Sequence, residues 1–142
     1  MILQTDDELR ALLAGARRIA VVGASDNPVR ASNGVFRYLR DQANLSPSPV
    51  NPSIQALDGA IAYPTLQAYA GACGAPDIVD VFRKADDALG VAQEAIDVRA
   101  RAIWFQLGVI NPRAIALADQ AGLDVVVDRC IKIELQRLFR GS

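Results

Sequence analysis

Four short stretches, residues 18–23, 77–82, 102–107 and 123–127, are mostly apolar and lack a regular apolar–polar alternation. A strand with one wet face alternates; a strand covered on both faces does not. Around these stretches the apolar positions switch to helical spacing. Val35, Phe36 and Leu39 mark a helix opening near Ser32, and Ala88, Val91, Ala92, Ala95 and Ile96 mark another. Asn111 reads as the cap of a third, with Pro112 in its first turn and Gly122 as its stop. Upstream, Thr5 and Glu8 form a capping box ahead of Leu9, Leu12 and Leu13, and Gly15 ends that helix. Ile131, Leu135, Leu138 and Phe139 fit one face of a closing helix. Strands that alternate with helices imply right-handed crossovers and a parallel sheet. The expectation is an α/β fold: a single Rossmann-like three-layer domain over residues 1–142. Its five-stranded, mainly parallel sheet would carry helices on both faces. Such a fold binds ligands outside the carboxyl ends of its strands.

The second strand fits poorly. Residues 44–50, Asn-Leu-Ser-Pro-Ser-Pro-Val, stand in its place, and prolines cannot donate to a ladder. A short strand, a displaced one or extended coil would each satisfy this segment.

Composition narrows the function. Half of the 142 residues are apolar (51%) and the net charge is −1, which speaks against a nucleic-acid partner. No apolar run approaches the ~18 residues of a membrane span, and the N-terminus lacks the layout of a signal peptide. A cytoplasmic protein with free thiols at Cys73 and Cys130 is expected. The chain contains no histidine, which excludes Ser-His-Asp and Cys-His catalysis, phosphohistidine chemistry and histidine metal sites.

The turn after the first strand carries the functional signal. A strand that stops at Gly23 just before a helix offers free N–H groups and a positive helix end, which suits phosphate. Arg30 beside that helix start can bind a pair of phosphate oxygens. Arg83 with Lys84, and Arg129, also fall just past strand ends, though surface lysines and arginines often do no more than face water. A dinucleotide site needs Gly-x-Gly-x-x-Gly and an acidic residue ending the second strand. This turn has Gly23 alone, and the second position reads Val50-Asn51-Pro52. No Gly-Lys-Ser/Thr of a phosphate-binding Walker loop occurs.

Six blocks in order carry a resemblance. They are Val-Val-Gly-Ala-Ser-x-x-Pro-x-Arg-x-Ser (21–32), Val-Asn-Pro (50–52), Tyr-Pro-Thr-Leu (63–66), Asp-Ile-Val-Asp-Val-Phe-Arg (77–83), Trp-Phe-Gln-Leu-Gly-Val (104–109) and Val-Val-Asp-Arg-Cys-Ile-Lys-Ile-Glu (126–134). Together they resemble the small stand-alone CoA-binding proteins, which are similar to the CoA-binding domain of the succinyl-CoA synthetase α-subunit. The resemblance implies coenzyme A lying across the strand ends. Gly23, Ala24, Ser25, Arg30 and Ser32 would hold its phosphates, and Asn51 and Pro52 would sit near the nucleotide. Phe82 and Arg83 would flank it after the third strand, with Gln106, Leu107 and Gly108 after the fourth. Arg129 and Cys130 match the family's Asp-Arg-Cys block, near the thiol end in the synthetases. Residues 44–49 depart from the family, where an apolar strand is usual.

The leading expectation is a CoA or acyl-CoA binding protein without a catalytic centre of its own. Two alternatives stand beside it. Cys130, near a helix start and Arg129, could exchange with CoA disulfide as a redox enzyme or sensor, although a lone cysteine is more often a small buried hydrophobe. A degenerate NAD(P)-binding domain is the other. Cys73 is expected in a loop, Trp104 and Phe105 in the core, and Asp80 within reach of a helix terminus. Whether the chain forms a homo-oligomer or meets a partner enzyme stays open.

Overall fold

The computed structural model describes residues 1–139. Five strands, β1 (Arg18–Val22), β2 (Ser46–Val50), β3 (Ile78–Val81), β4 (Ala102–Phe105) and β5 (Asp124–Val127), form one sheet. Its order is β2-β1-β3-β4-β5, and every neighbouring pair is parallel. The chain winds outward from β1 to β2, then crosses back to β3 on the other side of β1. The two windings part between the carboxyl ends of β1 and β3, the switch point at which open α/β sheets bind ligands.

Six helices cover the sheet: α1 (Asp6–Gly15), α2 (Ala31–Arg40), α3 (Leu66–Cys73), α4 (Ala88–Asp97), α5 (Pro112–Gln120) and α6 (Ile131–Phe139). Leu9, Phe36, Leu39 and Ile131 bring α1, α2 and α6 onto the face formed by Ile19, Val21, Ile78, Trp104 and Val126. Leu66, Tyr69, Val91, Ala92 and Ala114 bring α3, α4 and α5 onto the other face, against Val22, Val79, Val81, Ile103 and Phe105. Both faces of β3 and β4 are therefore buried, which is why their sequences do not alternate. Trp104 and Phe105 are core residues, fully buried as expected.

Local signals behave as read. Thr5 Oγ1 accepts from Glu8 N (3.2 Å) while Glu8 Oε1 accepts from Thr5 N (3.0 Å). Asn111 Oδ1 accepts from Arg113 N and Ala114 N, both at 3.1 Å, with Pro112 at the first helical position. Asp86 and Asp87 lie in a 3₁₀ turn (Ala85–Asp87) that leads directly into α4.

The proline segment is a regular parallel edge strand, not displaced chain or coil. Ser46 N donates to Arg17 O (2.7 Å), and Val50 O accepts from Gly23 N (2.9 Å). Peptide groups alternate direction along a strand, so Ser46, Ser48 and Val50 face β1 while Pro47 and Pro49 face outward. The missing N–H groups fall where no ladder needs them, and they blunt the edge against further pairing. Pro49 O accepts from Tyr63 N (2.9 Å), so backbone after the strand covers part of that edge. At the opposite edge, residues 1–3 pair with β5: Leu3 N donates to Val125 O (2.8 Å), and Val125 N to Met1 O (2.9 Å).

Two elements escaped the sequence reading. A two-residue hairpin (Ala56–Leu57 with Ala60–Ile61) turns on Asp58 and Gly59, both at positive φ (+48° and +82°), as an Asp-Gly hairpin turn demands. Helix α3 buries only Leu66 and Tyr69, leaving a weak periodic signal, although Thr65 caps it at Ala68 N (3.0 Å). Cys73 therefore ends a helix rather than sitting in a loop, with its thiol 3.5 Å from Tyr63 Oη. No described helix is long and apolar enough to cross a membrane.

Candidate functional site

A cleft of about 570 Å³ opens over the carboxyl ends of β1, β3 and β4. It begins with Gly23, whose φ is +86° and whose added Cβ would collide with the carbonyl oxygen of Phe82. The β1 and β3 exits run backbone against backbone here, fixed by Phe82 N donating to Val22 O (2.8 Å). Only glycine allows both the conformation and the approach.

Beyond Gly23 the chain is wound by its own short polar side chains. Asn27 N donates to Ser25 Oγ (3.1 Å), Val29 N to Asn27 Oδ1 (3.0 Å) and Ser25 N to Ser32 Oγ (3.0 Å). Asn33 Nδ2 donates to Ser25 O (2.9 Å), and Asn51 Nδ2 to Ala24 O (2.9 Å). With these side chains committed to the turn, no side chain caps α2. Arg30, Ala31 and Ser32 at that helix start line the cleft, and its first turn carries no acid. Arg30 stands exposed at the helix start, and Arg83 and Lys84 enter after β3. None of these three cations has an ion pair among the described residues.

The structure gathers Gly23, Ser25, Arg30, Ser32, Phe82, Arg83, Gln106, Leu107 and Cys130 around this cleft. Ala31, Val35, Lys84 and Val109 join them. Val35 was legible as its neighbour, since it lies on the face of α2 that carries Ala31 and Ser32, one turn on. The remaining candidates lie elsewhere. Ala24 is buried behind the turn, and Asn51 clamps it, with Asn51 Oδ1 accepting from Ser53 N (2.9 Å). Pro52 borders a neighbouring hollow of about 320 Å³ with Thr65, Glu94 and the far side of Arg83. Gly108, at φ +79°, donates its N–H to Asp128 Oδ1 (2.8 Å) outside the cleft lining.

Arg129 is held away from the cleft. Its Nη1 donates to Glu134 Oε1 (3.1 Å) and its Nη2 to Gln4 O (3.3 Å). Glu134 is buried between Arg129 and Arg137, and Arg137 also grips Asp6 with two hydrogen bonds of 2.8 and 2.9 Å. The Arg137 guanidinium holds the Asp6 carboxyl below its usual range. Buried Gln106 uses its Oε1 to cap α6 at Ile131 N (3.1 Å). Trp104 Nε1 donates to Arg129 O (2.8 Å), tying the core strand to the same turn.

Asp80 does not reach a helix terminus. It is fully buried in β3, level with Val21 and Trp104, and neither carboxyl oxygen has a partner among the described residues. Burial pushes its pKa well above the usual carboxylate value, which favours the neutral acid. Asn33 Oδ1 is another buried acceptor without a partner among the described residues. A separate hollow of about 460 Å³ between α1, α2 and α6 has no charged residue in its lining among the described residues and lies off the strand ends.

A parallel sheet of this order, with unpaired cations and an uncapped helix start at its switch point, defines a Rossmann-like ligand-binding domain. Residues 17–136 match the family described as CoA binding domain, and the chain belongs to that family. It is 37% identical over 126 residues to the uncharacterized protein YneT of Bacillus subtilis, covering 89% of this chain and 90% of that one. A solved Thermus thermophilus protein, cell-free ID.343, is similar with a TM-score of 0.88 and 38% identity, over 96% of this chain and 100% of that one. A hypothetical protein from Pyrococcus horikoshii is similar with a TM-score of 0.90 and 34% identity, over 96% and 93%.

Proposed function

We propose that this protein binds coenzyme A, free or acylated, in the cleft above β1, β3 and β4, with the phosphates at the turn from Gly23 to Ser32. One observation carries the reading: in a member of the CoA-binding family, Arg30, Arg83 and Lys84 meet an uncapped helix start in one cleft. Guanidinium pairs and free N–H groups are what a multiply phosphorylated ligand needs. A dinucleotide is favoured less. Its ribose would need a carboxylate after β2, where Asn51 instead spends both ends of its amide on Ala24 and Ser53.

Binding rather than catalysis fits the groups that face the cleft. The hydroxyls of Ser25 and Ser32 accept backbone N–H groups of the turn, which engages them in structure. Cys130 gives a second reading, because its half-buried thiol lines the same cleft. In thiol exchange its thiolate would attack CoA disulfide, form a Cys130–CoA mixed disulfide and release CoA thiolate. Cys130→Ser separates the readings: CoA affinity is retained, and a mass increase under CoA disulfide is lost.

Calorimetry with CoA, dephospho-CoA and NAD at two salt concentrations tests the main claim. CoA binds tightest, dephospho-CoA less tightly, and both weaken as salt rises, because exposed pairs are screened over ~8–10 Å at physiological ionic strength. NAD binding without CoA binding refutes it.

A further inference from the structure

One row below the cleft floor stands a carboxyl group that the site itself does not use. Val21, Asp80 and Trp104 form a row across β1, β3 and β4, on the face covered by α1, α2 and α6. Two residues further along these strands come Gly23, Phe82 and Gln106, and all three line the cleft. Residues two apart on a strand share a face, so Asp80 lies about 7 Å beneath that floor along the strand direction. It is fully buried, and neither carboxyl oxygen has a partner among the described residues.

Burying an unpaired charge is costly, so such a carboxyl is held neutral. At its sides β1 and β4 place Val21 and Trp104, neither of which titrates. From α1 the inward residues are Leu9, Leu12 and Leu13. Tyr38 on α2 and Cys130 before α6 pack against the same core, and Glu134 of α6 has its oxygens held by Arg129 and Arg137. The cations Arg30, Arg83 and Lys84 stand at the cleft above. Burial raises the pKa of Asp80, with no charged group among the described residues contributing. An anion on the cleft floor works in the same direction, because a like charge also disfavours ionisation.

We propose that CoA binding is coupled to the proton on Asp80: the cleft holds the phosphates while Asp80 is neutral, and ionisation of Asp80 weakens its grip. The proposal rests on the CoA-binding reading and names a regulation of that same site. Two unit charges about 10 Å apart, at an effective dielectric constant of about 20, repel by roughly 15-fold in affinity. Salt lowers this figure, so a change of at least about fivefold is expected. By reciprocity CoA raises the pH at which Asp80 ionises by the same factor, at least about 0.7 pH unit.

Trp104 is the chain's single tryptophan and lies level with Asp80, so its emission reports that ionisation. The test follows Trp104 fluorescence from about pH 5 to about pH 9, with and without saturating CoA, in the unaltered protein and in Asp80→Asn. Calorimetry over the same range measures the affinity of both proteins for CoA and for dephospho-CoA, which lacks the phosphate monoester that titrates near pH ~6. In the unaltered protein the emission midpoint moves up with CoA, and affinity for both ligands falls at least about fivefold across it relative to Asp80→Asn. A midpoint that CoA leaves in place overturns the coupling, and that arm does not depend on the variant folding. So does the lack of any emission change that Asp80→Asn removes. A constant affinity ratio between the two proteins at every pH overturns the coupling alone, since CoA is then still bound. Failure of both ligands to bind at any pH overturns the CoA reading as well.

Discussion

The turns after β1 and after β5 are made of similar parts. Each places an arginine at the start of a helix, Arg30 before α2 and Arg129 before α6, with a carboxamide side chain close by. Their outcomes are opposite. After β5, Glu134 in the first turn of α6 captures Arg129, and Gln106 caps the helix. After β1, no acid stands in the first turn of α2. The side chains of Ser25, Ser32, Asn33 and Asn51 bind loop backbone instead of the helix end. One turn is closed on itself, and the other leaves its arginine without an ion pair among the described residues and its helix without a side-chain cap. An arginine past a strand end becomes available for binding when the helix it introduces carries no carboxylate within reach.

The most disruptive test of this contrast is Gly23→Ala. It places a methyl against Phe82 O and strains a positive φ, so a loss on the order of 3–5 kcal/mol is expected in urea unfolding. A loss below 1 kcal/mol would show that the open turn does not depend on that close approach.

Asp80, buried in β3 level with Val21 of the strand that leads into the open turn, gives a pH signature through its neutral form. Its folded-state pKa lies above the unfolded value of about 3.9, so its contribution is fully present below that pH. The contribution declines as pH rises toward the folded pKa, by about 1.4 kcal/mol per unit within that window. Asp80→Asn should therefore raise Tm at pH 7.5 and leave it nearly unchanged at pH 3.5. An equal shift at both pH values would mean that proton linkage is not the cause.

Exchanging the two arginines one at a time divides binding from stability. Arg30→Ala should weaken CoA binding by about 10- to 100-fold, the range of a charge-assisted hydrogen bond, with Tm unchanged. Arg129→Ala should keep CoA affinity within about twofold and cost about 1–3 kcal/mol of stability, because buried Glu134 loses one of its two partners. The reverse pattern would dissolve the contrast. The smallest effect belongs to Ser32→Ala, which removes the acceptor for Ser25 N and should cost about 1 kcal/mol, read by thermal unfolding.

Much of the fold was legible because its signals are local. The Thr5–Glu8 box, the Asn111-Pro112 start and the non-alternating runs of β1, β3 and β4 each lie within a few residues. Helix α3 was not, because its small residues bury little and leave no period. Strand β2 was obscured because a proline's tolerance depends on which side of the strand faces a neighbour. The spacing of Pro47 and Pro49 by two places both on one side, but their facing away from β1 is a property of the assembled sheet.

The site divides in the same way. Glycine at 23, arginines past strand ends and polar residues after β1 follow from the sequence, since strand-to-helix turns collect at one edge of any parallel sheet. The partners of those groups do not. Arg129 meets Gln4 across 125 positions, Asn51 meets Ala24 across 27, and Gln106 meets Ile131 across 25. Sequence determined where the chain would present cations and free N–H groups. Tertiary structure alone decided which stayed free, because a charge is quenched by whatever lies within a few ångströms, and that distance is set by packing rather than by order along the chain.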